Sequence, residues 1–278
     1  MHDVPPTPPI EDAPPALLES GHLWLQEAVD GCPVRFQLAE TGAILVGDDE
    51  RLFEVEEAPL HYRRAVRHLE MTLDRDALRE AVPAVTAITF YGVATCRRRI
   101  VYDWNRLPPV LGTDVWSATE ESFLPPDTVE QVFQRLGLDP LPAIAKEIRA
   151  VDFDPESYEI PDSEWADEPA AGVVVRNKRG GRALIERTEP PLGDDGGRFE
   201  RSATELLDEQ LTPALLDRLA GDLEREGWPV TSETLYERAL EAAARRLGPA
   251  PFEDGVVEPA ALREAVAGRT SRYLADAD

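Results

Sequence analysis

The hydrophobic period changes once along this chain, and that change limits what it can fold into. Up to about Thr188 the apolar residues fall in short runs rich in β-branched and aromatic side chains, at 22–26, 34–38, 43–46, 85–91, 100–104 and 110–116, which read as strands. Thr41-Gly42 marks a tight turn between the second and third. Two later runs, 172–175 and 182–185, flank Lys178-Arg179-Gly180-Gly181 and read as a hairpin. Helical spacing interrupts the strands across 60–82, with Leu60, Ala65, Leu69, Leu73 and Leu78, and again at Asp127, where Glu130 completes a capping box. Beyond Arg198 the period lengthens to near 3.6. There Ser202 with Glu205, Thr212-Pro213 and Thr231-Ser232 are helix starts, Gly248 is a stop, and a last helix begins near Pro259. Ahead of everything lie six prolines between Pro5 and Pro15, an extended lead that cannot be helical and has little to pack. The expected organisation is a proline-rich lead over 1–20, a mixed α and β body over 21–197 and a small helical domain over 198–278.

An apolar fraction of 42% over 278 residues is ample for a packed core and excludes a wholly disordered chain. No run approaches 18 apolar residues and no basic, apolar leader opens the sequence, so the expected location is the cytoplasm, away from membranes. Cys32 and Cys96 stand alone, without metal-ligand spacing, and read as reduced thiols; no metal site is expected from them. The charge is more telling. Acidic residues outnumber basic ones 54 to 29, for a net charge of −25, and only Lys146 and Lys178 among the basic residues are lysine. An acidic, lysine-poor surface suits a halophilic protein in molar salt, where the Debye length shrinks to about 3 Å and self-repulsion is screened. The same screening lets such a chain meet nucleic acid.

Five segments then carry a family resemblance. Glu27-Ala-Val-Asp-Gly31 resembles the E-K-x-D-G motif of the ATP-dependent RNA ligases, of the RNA ligase 2-like branch of the covalent nucleotidyltransferases. Phe90-Tyr-Gly-Val-Ala-Thr95 resembles their [FY]-G-E motif, and Val110-Leu-Gly-Thr-Asp-Val-Trp116 the strand after it. Ala171-Gly-Val-Val-Val-Arg176 is similar to E-G-[VI]-V, and Arg182-Ala-Leu-Ile185 stands where a lysine follows R-A. The matches keep order and spacing over about residues 21–188. The resemblance implies an α+β nucleotidyltransferase (adenylation-domain) fold of antiparallel sheets with flanking helices, a helical C-terminal domain, ATP and Mg2+ as cofactors, and single-stranded or nicked RNA as partner.

The departures fall on the side chains that do the chemistry. In the family a lysine attacks the α-phosphorus of ATP, and Ala28 stands there; Val93 replaces the glutamate implied to hold the ribose, and Ala171 the glutamate beside the metal or the lysine. Leu184 replaces the phosphate-binding lysine, and Thr113 the aromatic beside the base. Methyl and isobutyl groups neither attack phosphorus nor coordinate a metal, so no catalytic position is intact and covalent catalysis is expected to be lost.

The remaining polar residues are candidates for binding. The resemblance places Glu27 at the adenine amino group, against its reading as an ordinary strand carboxylate. Asp30 has a nucleotide-side reading and a turn-forming one, Arg51 resembles a substrate-facing arginine, and Arg176 and Lys178 follow the fourth motif. Arg97, Arg98 and Arg99, read on a strand, present phosphate-contacting and solvated edges alternately. Three functions stay open: a degenerate ligase-like protein with residual nucleotide or RNA-end binding, an active enzyme whose nucleophile has moved to Lys178, and a structural or interaction partner of an active paralogue.

Overall fold

The computed structural model describes His2, Val4 and residues 6–188, 203–253 and 255–277. Its strands are β1 (His22–Ala28), β2 (Cys32–Leu38), β3 (Ile44–Gly47), β4 (Leu52–Phe53), β5 (Ile88–Ala94), β6 (Val110–Ser117), β7 (Ser122–Phe123), β8 (Ala143–Arg149), β9 (Gly172–Asn177) and β10 (Arg182–Glu186). They form two antiparallel sheets, one in the order β10-β9-β1-β8 and one in the order β4-β3-β2-β5-β6-β7. The helices are α1 (Pro15–Glu19), α2 (Arg63–Thr72), α3 (Arg75–Ala81), α4 (Pro126–Arg135), α5 (Ala203–Gln210), α6 (Pro213–Arg225), α7 (Ser232–Leu247), α8 (Ala250–Glu253) and α9 (Pro259–Ala277).

Two compact units result. The first contains both sheets; the second contains the C-terminal helices together with residues 59–64 and 96–98. In the first unit the six-stranded sheet packs around stacked Phe36 and Phe90, ring centres 4.9 Å apart, with Phe133 of α4 edge-on to both. The four-stranded sheet buries Leu23, Leu25, Val173, Val175 and Ala183 on one face. Strand parity therefore turns Gln26, Val174, Arg176 and Arg182 to the other face. In the second unit Leu216, Leu235, Ala239, Ala243, Leu247 and Leu262 form the core. Thr212 and Thr231 cap α6 and α7 as their sequence positions require. Gly248 ends α7 at φ +72°, and a Cβ there would lie 1.6 Å from the Arg97 carbonyl, so the stop needs glycine.

Several expectations are corrected. The lead is neither wholly extended nor without packing: prolines suit a helix start, and α1 opens on Pro15 and sinks Leu17 into the core beside Leu23 and Leu25. The expected helix over 60–82 breaks at Asp74, whose carboxylate accepts the Ala77 N–H at 2.8 Å and starts α3. Pro126, not a capping box, opens α4; the Asp127 and Glu130 carboxylates instead pair with Lys178 and Lys146. Residues 85–87 form a 3-10 turn before β5. Residues 100–104 are no strand, because Ile100 and Tyr102 enter a small cluster with Leu107, Leu141 and Trp165, and the Ile100 N–H goes to Asp30. Strand β8 carries no clear strand signal in the sequence, its alternation hidden by Lys146 and Glu147 at the surface. Ser202 and the boundary at 197/198 lie outside the described residues.

Candidate functional site

The β9–β10 hairpin sets Arg176 and Arg182 directly opposite each other. Two like charges in cross-strand register repel unless a counter-charge lies between them. Asp114 of β6 supplies it. Its Oδ1 accepts from Arg176 Nη2 at 2.5 Å and from Arg182 Nη2 at 2.8 Å, and its Oδ2 from Arg182 Nη1 at 3.2 Å. Arg176 Nη1 also donates to the Thr113 carbonyl at 2.6 Å and, more weakly, to Gln26 Oε1 at 3.4 Å. All three charged residues are buried, at 3% exposure for Asp114, 5% for Arg176 and 7% for Arg182. Burial pushes the Arg176 guanidinium below its ordinary value, Asp114 opposes that shift, and Arg182 adds to it. A guanidinium stays charged in any event, so the cluster is two buried cations on one anion. Arg182 Nε has no hydrogen-bond partner.

These groups face a cavity of about 300 Å3. The four-stranded sheet contributes Gln26, Val174, Arg176 and Arg182 to its wall, and the six-stranded sheet Val34, Tyr91, Val93 and Asp114; exposed Asp49 lies at its margin. Val4 and Thr7 of the lead also line it.

The positions singled out in the sequence separate around this cavity. Val93, Thr113 and Arg176 line it. Ala28 ends β1 opposite Gly172, whose Cβ, if present, would lie 2.5 Å from the Ile185 carbonyl, a tight approach that glycine permits. Ala171 packs against the Tyr102 and Trp165 cluster, and the Leu184 N–H donates to the Pro8 carbonyl at 2.8 Å. Glu27 is buried away from the cavity, accepting from Ser163 Oγ at 2.6 Å and the Glu164 N–H at 3.1 Å; burial raises its carboxyl above the ordinary 4.5. Asp30 has the turn-forming place: Oδ2 accepts the Arg99 and Ile100 N–H groups at 2.5 and 3.1 Å, while its own N–H donates to Tyr102 Oη at 2.8 Å. The Arg51 guanidinium lies 5.8 Å from the Phe53 ring centre, away from the cavity.

Lys178 is also elsewhere. Its Nζ lies 2.7 Å from Glu147 and 3.0 Å from Asp127, and those carboxylates raise its pKa, the reverse of what a nucleophilic amine needs. Arg97, Arg98 and Arg99 share no strand face, since the chain bends there: the Arg97 N–H donates to the Arg245 carbonyl, Arg98 is exposed, and the Arg99 N–H holds Asp30. Sequence reasoning missed Asp114 as a site residue and used Arg182 only as a motif landmark. Their signal was present in part, in two arginines placed symmetrically about one hairpin turn.

No protein-family model and no curated protein matches the sequence. Among solved structures the chain is similar to an RNA ligase mutant from Naegleria gruberi with ATP and Mn, at TM-score 0.51 and 11% identity, over 67% of this chain and 56% of that one. The fold is RNA ligase-like. An archaeal ATP-dependent RNA ligase aligns over 97% of this chain and 63% of its own at 12% identity and TM-score 0.49. The chain thus spans less than two thirds of either ligase.

The RNA ligase-like fold implies ATP and a divalent metal, and the residues present do not fit the metal. Among the described residues no three His, Cys, Asp or Glu side chains gather as a metal site. The buried carboxylate of the cavity is taken up by two guanidiniums. A hard cation prefers several free oxygens, and the described residues gather no such set. No helix among the described residues is long and apolar enough to cross a membrane.

Proposed function

We propose that the chain is an RNA ligase-like protein that holds a phosphate-bearing ligand, a nucleotide or an RNA end, without joining it covalently. The observation that carries this reading is the buried Arg176–Asp114–Arg182 cluster facing the cavity, with guanidiniums in excess of the carboxylate in contact with them. Guanidinium groups match phosphate geometry, and one buried in low dielectric attracts an anion far more strongly than one at the surface. Covalent transfer has no support in the cleft, because Ala28 offers no nucleophile and Lys178 is held in ion pairs outside it. The composition favours a salt-adapted setting, in which weak RNA binding escapes the repulsion that a charge of −25 imposes in dilute buffer.

Calorimetric titration of the full chain with inorganic phosphate and with 5′-phosphorylated and unphosphorylated oligoribonucleotides tests this. Phosphate and the phosphorylated oligonucleotide should bind, and Arg182→Gln should weaken both at least tenfold while the fold is retained by circular dichroism. Binding that ignores the 5′-phosphate, or that survives Arg182→Gln unchanged, would refute the reading. Should that variant fail to fold, Arg182→Lys, which keeps the charge and loses the fork, is expected to weaken phosphate binding as well.

A further inference from the structure

The cleft-side face of β6 and β7 carries an aromatic shelf that none of the expected site residues belongs to. Trp116 and Phe123 are partners across the two strands, ring centres 5.0 Å apart, and Tyr91 lies 5.6 Å from Phe123. The shelf adjoins the arginine cluster directly: the Arg182 guanidinium sits 5.7 Å from the Phe123 ring centre. In this structure the shelf is covered by the chain's own lead. The His2 imidazole lies flat on Trp116, centres 3.7 Å apart and planes 4° from parallel, with its edge toward Phe123. The His2 carbonyl accepts from the Tyr91 hydroxyl. Farther along, Val4 and Thr7 line the cavity, and Pro8 and Pro9 pair with Leu184 on the free edge of β10.

A flat nitrogen heterocycle stacked on an indole is the arrangement a nucleobase adopts on an aromatic platform, where stacking tolerates any base because each has a π-face. His2 is exposed to solvent, whereas Leu17 of α1 is buried in the core, so the residues about His2 can lift off without unfolding the body. We propose that Trp116 and Phe123 form a nucleobase-stacking subsite whose intramolecular occupant is His2, so that the lead competes with the base of an incoming nucleotide. The proposal rests on the phosphate-holding reading only for the ligand's other end; the shelf stands on its own geometry. A site occupied by its own chain binds with an affinity reduced by the fraction of time it is open. An aromatic pair of this kind sets the expected gain on removing His2 at about three- to tenfold.

Equilibrium dialysis of the full chain and of the His2→Ala, Trp116→Leu and Arg182→Gln variants against labelled adenosine, AMP and inorganic phosphate decides the matter. His2→Ala should bind adenosine and AMP about three- to tenfold more tightly than the parent, with the gain confined to ligands that carry a base. Trp116→Leu should lose adenosine and keep phosphate. Unchanged or weaker adenosine and AMP binding in His2→Ala overturns the proposal, even if phosphate still binds and still depends on Arg182. Adenosine that tightens in His2→Ala while phosphate binds no variant upholds the shelf and removes the phosphate-holding reading. Since His2 is exposed, its variant decides the question even if Trp116→Leu does not fold.

Discussion

Replacing Asp114 by asparagine removes the charge that lets Arg176 and Arg182 coexist. The carboxylate accepts three N–H groups from the two guanidiniums and is 3% exposed. An asparagine keeps one carbonyl oxygen for one of them and leaves two cations buried side by side. Breaking a buried, hydrogen-bonded ion pair from one side costs about 3–5 kcal/mol, a large share of the roughly 5–15 kcal/mol that holds an ordinary domain together. Urea titration followed by circular dichroism should show the midpoint falling with the slope unchanged, the shift multiplied by the slope giving that loss. The loss should be nearly the same in dilute buffer and in 1 M KCl, because screening acts on exposed charges and hardly reaches buried ones. Phosphate should restore part of it: an anion at 100 times its dissociation constant adds about 2.7 kcal/mol, by supplying from the cavity the negative charge that the two guanidiniums have lost. Replacing Asp114, Arg176 and Arg182 together by leucine or methionine should cost much less than the single change, since the cluster is expensive to bury. A cost under about 1 kcal/mol for Asp114→Asn, or one that vanishes in high salt, would refute the reasoning.

Further outcomes follow from the same structure. Burial raises the Glu27 carboxyl above its ordinary 4.5, so the folded state holds that proton more tightly than the unfolded chain. Its contribution to stability is therefore full at low pH and declines as pH rises from 4.5 through the raised value. Glu27→Gln should flatten that decline in pH-dependent thermal melts; a steeper decline would contradict the assignment. Ala28→Lys should fold and remain unadenylylated with ATP and Mg2+ by intact mass, because Val93, Ala171 and Leu184 still lack the other groups; an AMP increment would show that those groups are dispensable. With a net charge of −25, the chain should melt at higher temperature as KCl rises from 0.1 to 2 M, and a flat or falling curve would remove the salt-adapted reading.

How much was legible in the sequence divides along the range of the interactions. The hairpin around Lys178-Arg179-Gly180-Gly181, the caps at Thr212 and Thr231 and the stop at Gly248 are set by neighbours a few residues away, and each is present. Ala28 and Leu184 could be singled out because they sit at fixed offsets from glycines that the backbone needs, such as Gly172. Asp114 was not readable as the counter-ion of Arg176, since that contact closes across 62 residues and depends on how the two sheets face each other. The lead differs from its sequence pattern for the opposite reason. Proline density argues against helix and strand interiors, yet it says nothing of single side chains such as Leu17 and His2 that find partners in the body.

The most direct test of a ligase-like fold that holds phosphate without joining it is mass spectrometry of the full chain after incubation with ATP and Mg2+ in molar salt, recorded natively and again after acid denaturation. The expected result is a nucleotide-bound species under native conditions that reverts entirely to the bare chain on denaturation. An added mass of one AMP that survives denaturation would contradict the account, as would the absence of any bound species before it.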